Sequence, residues 1–284
     1  MITAVYVAFR TRVLDLGWIP DDAAVVVVHN DRELDPGSCR HPGVRHLFPA
    51  SNLGFGAGVN LAAAAVSSGR LVVCNPDTLL TRAHWEALTA AEPDEVVTVP
   101  LVDAAGRPTS VVNRYPTFLS LLGTAYRAGR LLPLGSWRRA ALTRLLGSWG
   151  REHQRLPSAG AGSFPLATHW ASAAAISVDA ARFAAVGGFE AGYFLYFEDV
   201  DLCLRLADKY PTMRLLVPAA PPGRHTVGAS ADGRELGART EFERLRSLRH
   251  YARAHLRAGW PALDLLTRPR LAVLARAARL AAPR

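Results

Sequence analysis

Apolar and polar positions in the first hundred residues alternate between short β-branched runs and helix-like segments. The apolar runs predict four strands, at residues 2–9, 23–29, 44–48 and 70–74. Residues 25–28 are four consecutive valines, apolar on both faces, which is typical of a strand in the centre of a sheet. Strands that alternate with helices predict a parallel sheet covered by helices.

An alanine-rich segment at residues 58–68 separates the third and fourth of these strands. Its composition favours a helix, and Gly69 is suited to the left-handed residue that commonly follows a helix end. The segment and its two flanking strands therefore predict a βαβ unit.

Residues 103–167 differ from the sequence before them, because five prolines separate two arginine-bearing amphipathic stretches, 118–130 and 136–149. We expect this region to be an insert at the edge of the sheet. Regular structure is then expected within 168–178, as a strand at 214–217, and as helices at 198–208 and 234–257. The last residues, 268–284, predict a basic amphipathic helix.

The chain has 284 residues, of which 50% are hydrophobic and 20% charged, and this composition allows a sizeable core. Its net charge is +9, and Lys209 is the only lysine, so the basic character comes from arginine. A basic chain favours anionic partners, which include nucleic acid, acidic membrane surfaces and phosphorylated small molecules. Charge alone does not select among them.

Three cysteines, Cys39, Cys74 and Cys203, are far apart and lack C-x-x-C spacing. We therefore expect neither a zinc site nor a disulfide framework, and a reducing cytoplasmic location. The N-terminus lacks the basic region of a signal peptide, and no uncharged stretch reaches the roughly 18 residues of a membrane span. Neither export nor a transmembrane anchor is expected.

The tetrapeptide Asn75-Pro76-Asp77-Thr78 directly follows the predicted strand at 70–74. Ligands of parallel sheets bind beyond the carboxyl ends of the strands, so Asp77 is placed to hold a divalent metal. A hard cation such as Mg²⁺ or Mn²⁺ can neutralise a diphosphate leaving group. The alternative is that the tetrapeptide only makes a turn and caps the next helix, which is the commoner role of such a sequence.

The loop at residues 52–60 places Gly54, Gly56 and Gly58 at every second position between a strand and a helix. Its backbone amides could approach a phosphate or a base closely. The spacing is not that of a dinucleotide-binding or P-loop motif, so a tight turn and a ligand cradle both remain open.

Three carboxylates, Glu198, Asp199 and Asp201, lie within four residues and follow a run of aromatic residues. In the first turn of a helix the helix dipole favours all three, and Asp201 can pair with Arg205 at i,i+4. This structural explanation leaves Asp199 to project into a cleft. A carboxylate held there can take a proton from an attacking hydroxyl.

His225 follows a predicted strand and a proline-rich turn, which places it at a sheet end where it could contact a metal or a phosphate. A lone histidine is more often a surface or core residue. The arginines of the 234–257 helix favour a solvated or membrane-facing surface over a catalytic array: Arg239, Arg244, Arg246 and Arg249.

Taken in this order, the motifs resemble the family 2 glycosyltransferases, in particular the bacterial rhamnosyltransferase-like branch. The resemblance rests on the loop at 52–60, on Asn75-Pro76-Asp77, on Gly187-Gly188-Phe189-Glu190, on the stretch from Phe194 to Asp201, and on His225 and Ser230. It covers residues 1 to 255 and is weakest at the start and in the insert.

The resemblance implies a GT-A fold, a Rossmann-like α/β architecture with a mostly parallel central sheet flanked by helices. It implies Asp77 as the metal ligand of a degenerate D-x-D motif and His225 as a further metal or diphosphate contact. Asp199 would be the catalytic base and Glu198 its supporting neighbour. Nucleotide contacts are implied for His29, Asn30, Asp31, Asn52, Gly56, Asn75 and Asp77, and substrate contacts for Trp170 and Asp201.

Two positions depart from the family pattern. His29 stands where the family has a nucleoside-contacting aspartate, and Asp31 follows two residues later, so nucleoside selection stays open. Ala173 stands where the family has the glycine of a Trp-x-Ser-Gly motif. We take both as marks of a divergent subfamily.

The implied reaction is an inverting transfer of a sugar, best guessed as L-rhamnose or another deoxyhexose, from a nucleoside-diphosphate donor. The acceptor would be a glycan, a lipid-linked molecule or a natural product. Alternatives are the same reaction with galactofuranose or N-acetylglucosamine, and a non-catalytic scaffold on a decayed transferase fold. A nucleic-acid partner is not expected, because no binding motif is present and the aromatic residues cluster with acids.

We expect three parts: a nucleotide-sugar-binding half at 1–102, an acceptor-binding and catalytic half at 103–230 containing the 103–167 insert, and basic helices at 231–284. The tail combines leucines and a valine with five arginines, which predicts peripheral attachment to an anionic membrane. Packing of the tail on the enzyme's own surface, or on a partner in a homodimer, is the alternative.

Overall fold

A computed structural model describes residues 2–66, 69–127, 161–226 and 234–280 of the protein. These residues form two compact units. The first, which we call the sheet unit, contains the described residues of 2–113, 161–194 and 198–226. The second, the helical unit, contains 114–127, 195–197 and 234–280. The predicted stretch at 136–149, Ser230 and the end of the tail at 281–284 lie outside the described residues.

The sheet unit is built on an eight-stranded sheet, and the four strands predicted from the N-terminal pattern form one side of it in the order β3-β2-β1-β4. They pair in parallel throughout. Most of their valines and alanines are buried. Because buried strands favour β-branched residues, the runs of such residues predicted these strands. Their bounds are Ile2–Ala8 (β1), Ala24–His29 (β2), Val44–Leu47 (β3) and Arg70–Cys74 (β4).

The sheet continues from β4 in the order β11-β6-β12-β9. β11 is antiparallel to both of its neighbours, whereas β12 is parallel to β6. β9 comes from the predicted insert and forms the edge of the sheet, antiparallel to β12. These strands are Glu95–Thr98 (β6), Gly162–Pro165 (β9), Ala175–Asp179 (β11) and Arg214–Val217 (β12).

Two small sheets complete the described strands. One has three strands in the order β5-β13-β7, with β13 between the other two. The other pairs β10 with β8. Their bounds are Thr78–Leu79 (β5), Leu101–Val102 (β7), Val112–Arg114 (β8), His169–Ala171 (β10) and Gly223–His225 (β13).

Helix α1 spans Phe55–Ala63, so the helix predicted at 58–68 begins three residues earlier and ends sooner than expected. Gly69 has φ +90° but lies beyond the helix end, and the prediction that it caps this helix was wrong. The predicted start of the helix was too late because Gly56 and Gly58, which suggested a loop, lie inside the helix. A Cβ on Gly56 would lie 2.8 Å from the Phe189 Cβ, and one on Gly58 would lie 2.9 Å from the Val7 side chain.

Three further helices belong to the sheet unit: Arg82–Thr89 (α2), Ala180–Ala185 (α4) and Glu198–Lys209 (α5). The predicted helix at 198–208 is confirmed. Arg70, the first residue of β4, is buried and binds three segments of the unit. Its guanidinium donates to Ser177 of β11 and to the backbone carbonyls of Ala91, Glu92 and Glu95.

The helical unit contains Phe118–Ala125 (α3), Arg234–His255 (α6) and Trp260–Leu280 (α7). The predicted 234–257 helix is confirmed, whereas the predicted tail helix is only the second part of α7, which begins at Trp260. Pro269 lies inside α7. In the part of the chain that the structure describes, no helix is both long and apolar enough to cross a membrane.

Two α6 arginines predicted to be solvated are largely buried in ion pairs instead. Arg249 pairs with Asp264 of α7, and Arg244 pairs with Glu241. Burial alone would raise the pKa of Glu241, but hydrogen bonds from Arg244 and Arg127 outweigh it and hold the pKa at about 2. The prediction of a solvated surface was wrong for these two arginines. The partner of Arg249 lies on another helix, which sequence spacing does not show, and the i,i+3 spacing of Glu241 and Arg244 does not reveal that their pair is largely buried.

The two compact units group residues by how closely they pack. The three predicted parts at 1–102, 103–230 and 231–284 divide the chain by function instead. Packing does not test a division by function, so the three-part division stays a prediction.

Candidate active site

Asp77 and His225 lie side by side in the sheet unit. The Asp77 Oδ1 and His225 Nε2 atoms are 3.3 Å apart, and the Asn75 side-chain amide is 3.4 Å from the same nitrogen. Local pairing fixes this geometry, because β13 pairs His225 with Thr78 and the Thr226 amide donates to the Asp77 carbonyl. The structure thus brings together the two residues predicted to bind a metal.

The segment at 172–174 connects this pair to Asp199. The Ala174 carbonyl accepts hydrogen bonds from the Asn75 amide and the Thr78 hydroxyl. The Ala173 amide donates to Asp199 Oδ2 at 3.2 Å. Ala173 is buried and is absent from the residues with a positive φ, so this backbone accommodates a side chain where the family has glycine.

Asp199 lies in the first turn of α5, where its Oδ1 accepts a hydrogen bond from the Val200 amide. Burial raises the pKa of Asp199 to about 6, although its backbone hydrogen bonds act in the opposite direction. A carboxylate with this pKa is largely ionised at neutral pH and is a stronger base than an ordinary one.

Glu198 is buried beside Asp199, and its Oε2 has no hydrogen-bond partner among the described residues. Burial, together with the charge of Asp199, raises the pKa of Glu198 well above its usual range. Two carboxyl groups buried this close titrate as a pair, and the pair holds a proton more tightly than an isolated carboxyl group would.

The backbone directly before this pair is strained. Tyr196 and Phe197 both have φ +69°, a left-handed conformation that costs a bulky residue about 1–3 kcal/mol. Contacts within the helical unit hold the segment: the Ser247 hydroxyl donates to the Leu195 carbonyl, and the Phe197 ring packs against Tyr251. Strain of this kind is typical of functional sites.

The glycine loop is shaped by the two asparagines predicted to contact a nucleotide. Asn30, at the end of β2, accepts from the Leu53 amide and donates to the Gly54 carbonyl. Asn52 accepts from the Gly54 amide at 2.8 Å. Gly56, a further predicted contact, packs against Phe189 inside α1. These nucleotide assignments stay predictions.

Gly54 leaves no room for a side chain. Its backbone has φ +83° and ψ −177°, a conformation restricted almost entirely to glycine, and an added Cβ would lie 2.3 Å from the Phe194 carbonyl oxygen. We expect Gly54→Ala to lower the free energy of unfolding by about 2–4 kcal/mol, measured by urea denaturation. Gly106→Ala is the matched control. It also has positive φ, but nothing lies within 4 Å of its added Cβ, so its loss of stability should be smaller.

An equal loss in both variants would show that backbone conformation alone accounts for the effect at Gly54.

His29 is buried at the end of β2, and its Nε2 is 2.8 Å from His46 Nδ1. Its ring stacks on Phe48 with centroids 4.4 Å apart. Burial lowers the pKa of His29, and the nearby His46 and Arg32 lower it further. Sequence reasoning missed His46 because the contact depends on the β2–β3 register.

Asp31 accepts hydrogen bonds from the backbone amides of Arg10 and Glu33. It therefore orders the loop after β2, and its implied nucleotide contact stays a prediction.

Asp201 is buried and forms the predicted ion pair with Arg205, at 2.6 Å. Arg205 also donates to the carbonyls of Val186 and Gly188, which fixes the Gly187-Gly188 turn to α5. Trp170 lies in β10 and is partly exposed. The substrate contacts of Asp201 and Trp170 stay predictions.

The sequence is 30% identical over 215 residues to the N-acetylglucosaminyl-diphospho-decaprenol L-rhamnosyltransferase of Mycobacterium tuberculosis, strain H37Rv, and equally to that of strain CDC 1551 / Oshkosh. The match covers 69% of this chain. The chain spans only 62% of the length of these relatives. No protein-family model matches the chain.

The fold is similar to that of a solved structure of GalNAc-T7 with UDP, GalNAc and Mn²⁺, with a TM-score of 0.52 at 10% identity. The match covers 89% of this chain and 47% of that one. It concerns the fold, and it agrees with the mixed sheet and flanking helices described above. With the sequence match, it means that the protein belongs with the rhamnosyltransferase-like chains that have a GT-A glycosyltransferase fold.

Proposed function

We propose that the protein is an inverting glycosyltransferase that moves a sugar from a nucleoside-diphosphate donor to an acceptor hydroxyl. The observation that supports this most is the connection of Asp77 and His225 to Asp199 through the 172–174 segment. The neighbours of the candidate cation site, Asn75 and Thr78, and the carboxylate with a raised pKa are thus hydrogen-bonded to adjacent residues of one backbone segment. Metal-assisted displacement of a diphosphate requires these two functions.

The residues present fit a Mg²⁺ or Mn²⁺ site. Two ligands on adjacent corners of an octahedron with ~2.1 Å bonds lie about 3 Å apart. The 3.3 Å between Asp77 Oδ1 and His225 Nε2 matches that separation. No cluster of three or more acidic, histidine or cysteine ligands occurs within the described ranges, so diphosphate oxygens and water would complete the coordination. The cation would neutralise the charge of the leaving nucleoside diphosphate.

Asp199 is the proposed base. Its ionised carboxylate accepts the proton of the acceptor hydroxyl as the oxygen attacks the anomeric carbon, and the bond to the diphosphate breaks on the opposite side. The Ala173 amide holds Oδ2, which directs the remaining lone pairs. Hydrogen bonds from the Ala173 and Val200 amides favour the ionised form of Asp199, whereas burial raises its pKa.

For the donor we propose L-rhamnose, and for the acceptor a lipid-linked glycan, since the mycobacterial relatives are named as transferases of L-rhamnose to a decaprenyl-linked sugar diphosphate. Galactofuranose and N-acetylglucosamine remain alternative donors. A decayed scaffold is the competing function, motivated by His29, and the presence of both Asp77 and Asp199 argues against it.

The test is calorimetric titration with the diphosphates of thymidine, uridine and guanosine, in the presence and absence of Mn²⁺. We expect one nucleotide to bind in a Mn²⁺-dependent manner, and Asp77→Ala to weaken that binding by about tenfold or more. Even the outer-shell partners of metal ligands contribute roughly 10–100-fold to affinity. Asp208→Ala is the control, because Asp208 is an exposed acid on α5.

Absence of binding by any nucleotide, or binding that is unchanged by Asp77→Ala, would favour the decayed scaffold.

A further inference from the structure

Helix α7 has one buried side and one exposed side. One side is buried and includes Leu263 and Thr267. The opposite side carries large apolar residues in contact with solvent: Leu265 is 68% exposed, Leu266 45% and Val273 68%. With Ala262, Pro269 and Ala272, these residues follow the i, i+3, i+4 spacing of one helix face and form an exposed apolar stripe.

Arginines border this stripe. Arg268 is 69% exposed, and Arg276 and Arg279 are also exposed on the same side of α7. Arg270 borders the other edge, where its guanidinium lies over the ring of Tyr126, which is itself 41% exposed. An aromatic ring and several guanidiniums beside an apolar stripe are typical of helices that lie in a lipid interface.

Negative charge is nearly absent from α7. Its single carboxylate, Asp264, is buried and paired with Arg249 and Arg268. The exposed side of the helix therefore combines apolar and positively charged groups without acidic ones. This combination is complementary to an anionic surface with an apolar layer beneath it.

We propose that the exposed side of α7 is the surface by which the protein binds an anionic lipid bilayer. Leu265, Leu266 and Val273 enter the boundary between head groups and acyl chains, while the bordering arginines contact lipid phosphates. The helix is placed flat in the interface and does not span the membrane, since its other side is buried within the helical unit.

A second copy of the chain is the other occupant to consider for this surface. Two copies related by a two-fold axis would bring the same arginines together, and like charges across an interface oppose association. The lack of exposed carboxylates on α7 leaves these arginines without acidic partners on the same helix of a second copy. The charge pattern therefore favours lipid.

The test uses the full chain and sedimentation with vesicles of phosphatidylcholine, with or without phosphatidylglycerol as the anionic lipid, at low and high salt. We expect binding to the anionic vesicles only, weakened by salt. The double variant Leu266→Glu/Val273→Glu should lower the partition coefficient by about tenfold or more. Arg276→Glu/Arg279→Glu should lower it by about fivefold or more for each arginine.

Val13→Glu is the matched control, because Val13 is 78% exposed on the sheet unit and should leave partitioning unchanged. Equal partitioning of the wild type and both double variants would overturn the proposal. A second result would also overturn it: the wild type is a dimer in size-exclusion chromatography, both double variants are monomers, and neither the wild type nor the variants bind vesicles.

Nucleotide binding is measured on the same samples. The lipid surface goes beyond the proposed transferase function, so loss of vesicle binding with nucleotide binding intact would contradict the surface alone. Intact vesicle binding without nucleotide binding would contradict the transferase alone.

Discussion

Replacing Asp199 with asparagine is expected to lower the rate of sugar transfer by about 10²–10⁴-fold, the range contributed by a positioned general base. Asparagine keeps the size of the side chain and can still accept the Ala173 hydrogen bond, but it cannot take up a proton. Nucleotide binding should survive the change. The measurement is the turnover of a nucleoside-diphosphate sugar, compared with calorimetric binding of the matching nucleotide.

Two variants give this experiment its control. Asp208→Asn, an exposed acid on the same helix, should retain wild-type turnover. Asp199→Glu keeps the proton acceptor and should recover part of the activity. If Asp199→Asn transferred sugar at the wild-type rate, the base would have to be another group.

Asp199 also sets the expected pH dependence of transfer. Because the base acts in its ionised form and burial raises the pKa of Asp199 to about 6, the rate should fall as pH decreases through about 6 and level off above it. An ordinary aspartate would give an inflection about two pH units lower. A rate profile from pH 4.5 to 8, corrected for enzyme stability, measures the inflection, and a flat profile across pH 6 would contradict the assignment.

Replacing Arg70 with methionine is expected to lower the free energy of unfolding by about 3–5 kcal/mol. Methionine preserves most of the apolar stem but leaves the carbonyls of Ala91, Glu92 and Glu95 without their guanidinium donor. The Ser177 hydroxyl, which also accepts from Arg70, is fully buried, and a buried acceptor without a partner costs about 1–3 kcal/mol. The carbonyls are partly exposed, so each should contribute less. The measurement is the midpoint of urea unfolding, with an unchanged slope as the sign of a stability effect.

Arg82→Met is the matched control, because Arg82 is exposed on α2 and its loss should change stability by less than about 0.5 kcal/mol. Similar midpoints for the two variants would mean that the Arg70 carbonyl partners are satisfied by other groups or by water once the guanidinium is gone.

The N-terminal strands could be predicted because short runs of β-branched residues are typical of buried strands. Helix α1 could not be bounded, because Gly56 and Gly58 are present for close packing against Phe189 and Val7, and such contacts leave no local signal. The burial of Arg70 also leaves no local signal, because its partners are distant in the sequence. Its partners come from β11 and from the segment that leads into β6.

In the candidate site, Asp77 and Asp199 could be proposed because each belongs to a short motif with a chemical purpose, whereas His225 was proposed through the family resemblance. Their neighbourhood was not predictable, since the Ala173 amide and the Ala174 carbonyl that connect them are backbone groups. His46 was missed because only the register of β2 and β3 reveals its contact with His29. Motifs therefore supplied the candidate side chains, and tertiary pairing determines which groups hold them.

The way the chain is divided between its two units has a consequence for synthesis on the ribosome. Helix α3 ends at Ala125, whereas α6, in the same unit, does not begin until Arg234. The intervening residues take about 5–20 s to translate at ~5–20 residues per second. During that interval Leu121 and Ala125, buried in the finished protein, have no α6 or α7 to cover them. Nascent chains should therefore recruit chaperones at α3, and slower translation would lengthen the time for which a chaperone remains bound there.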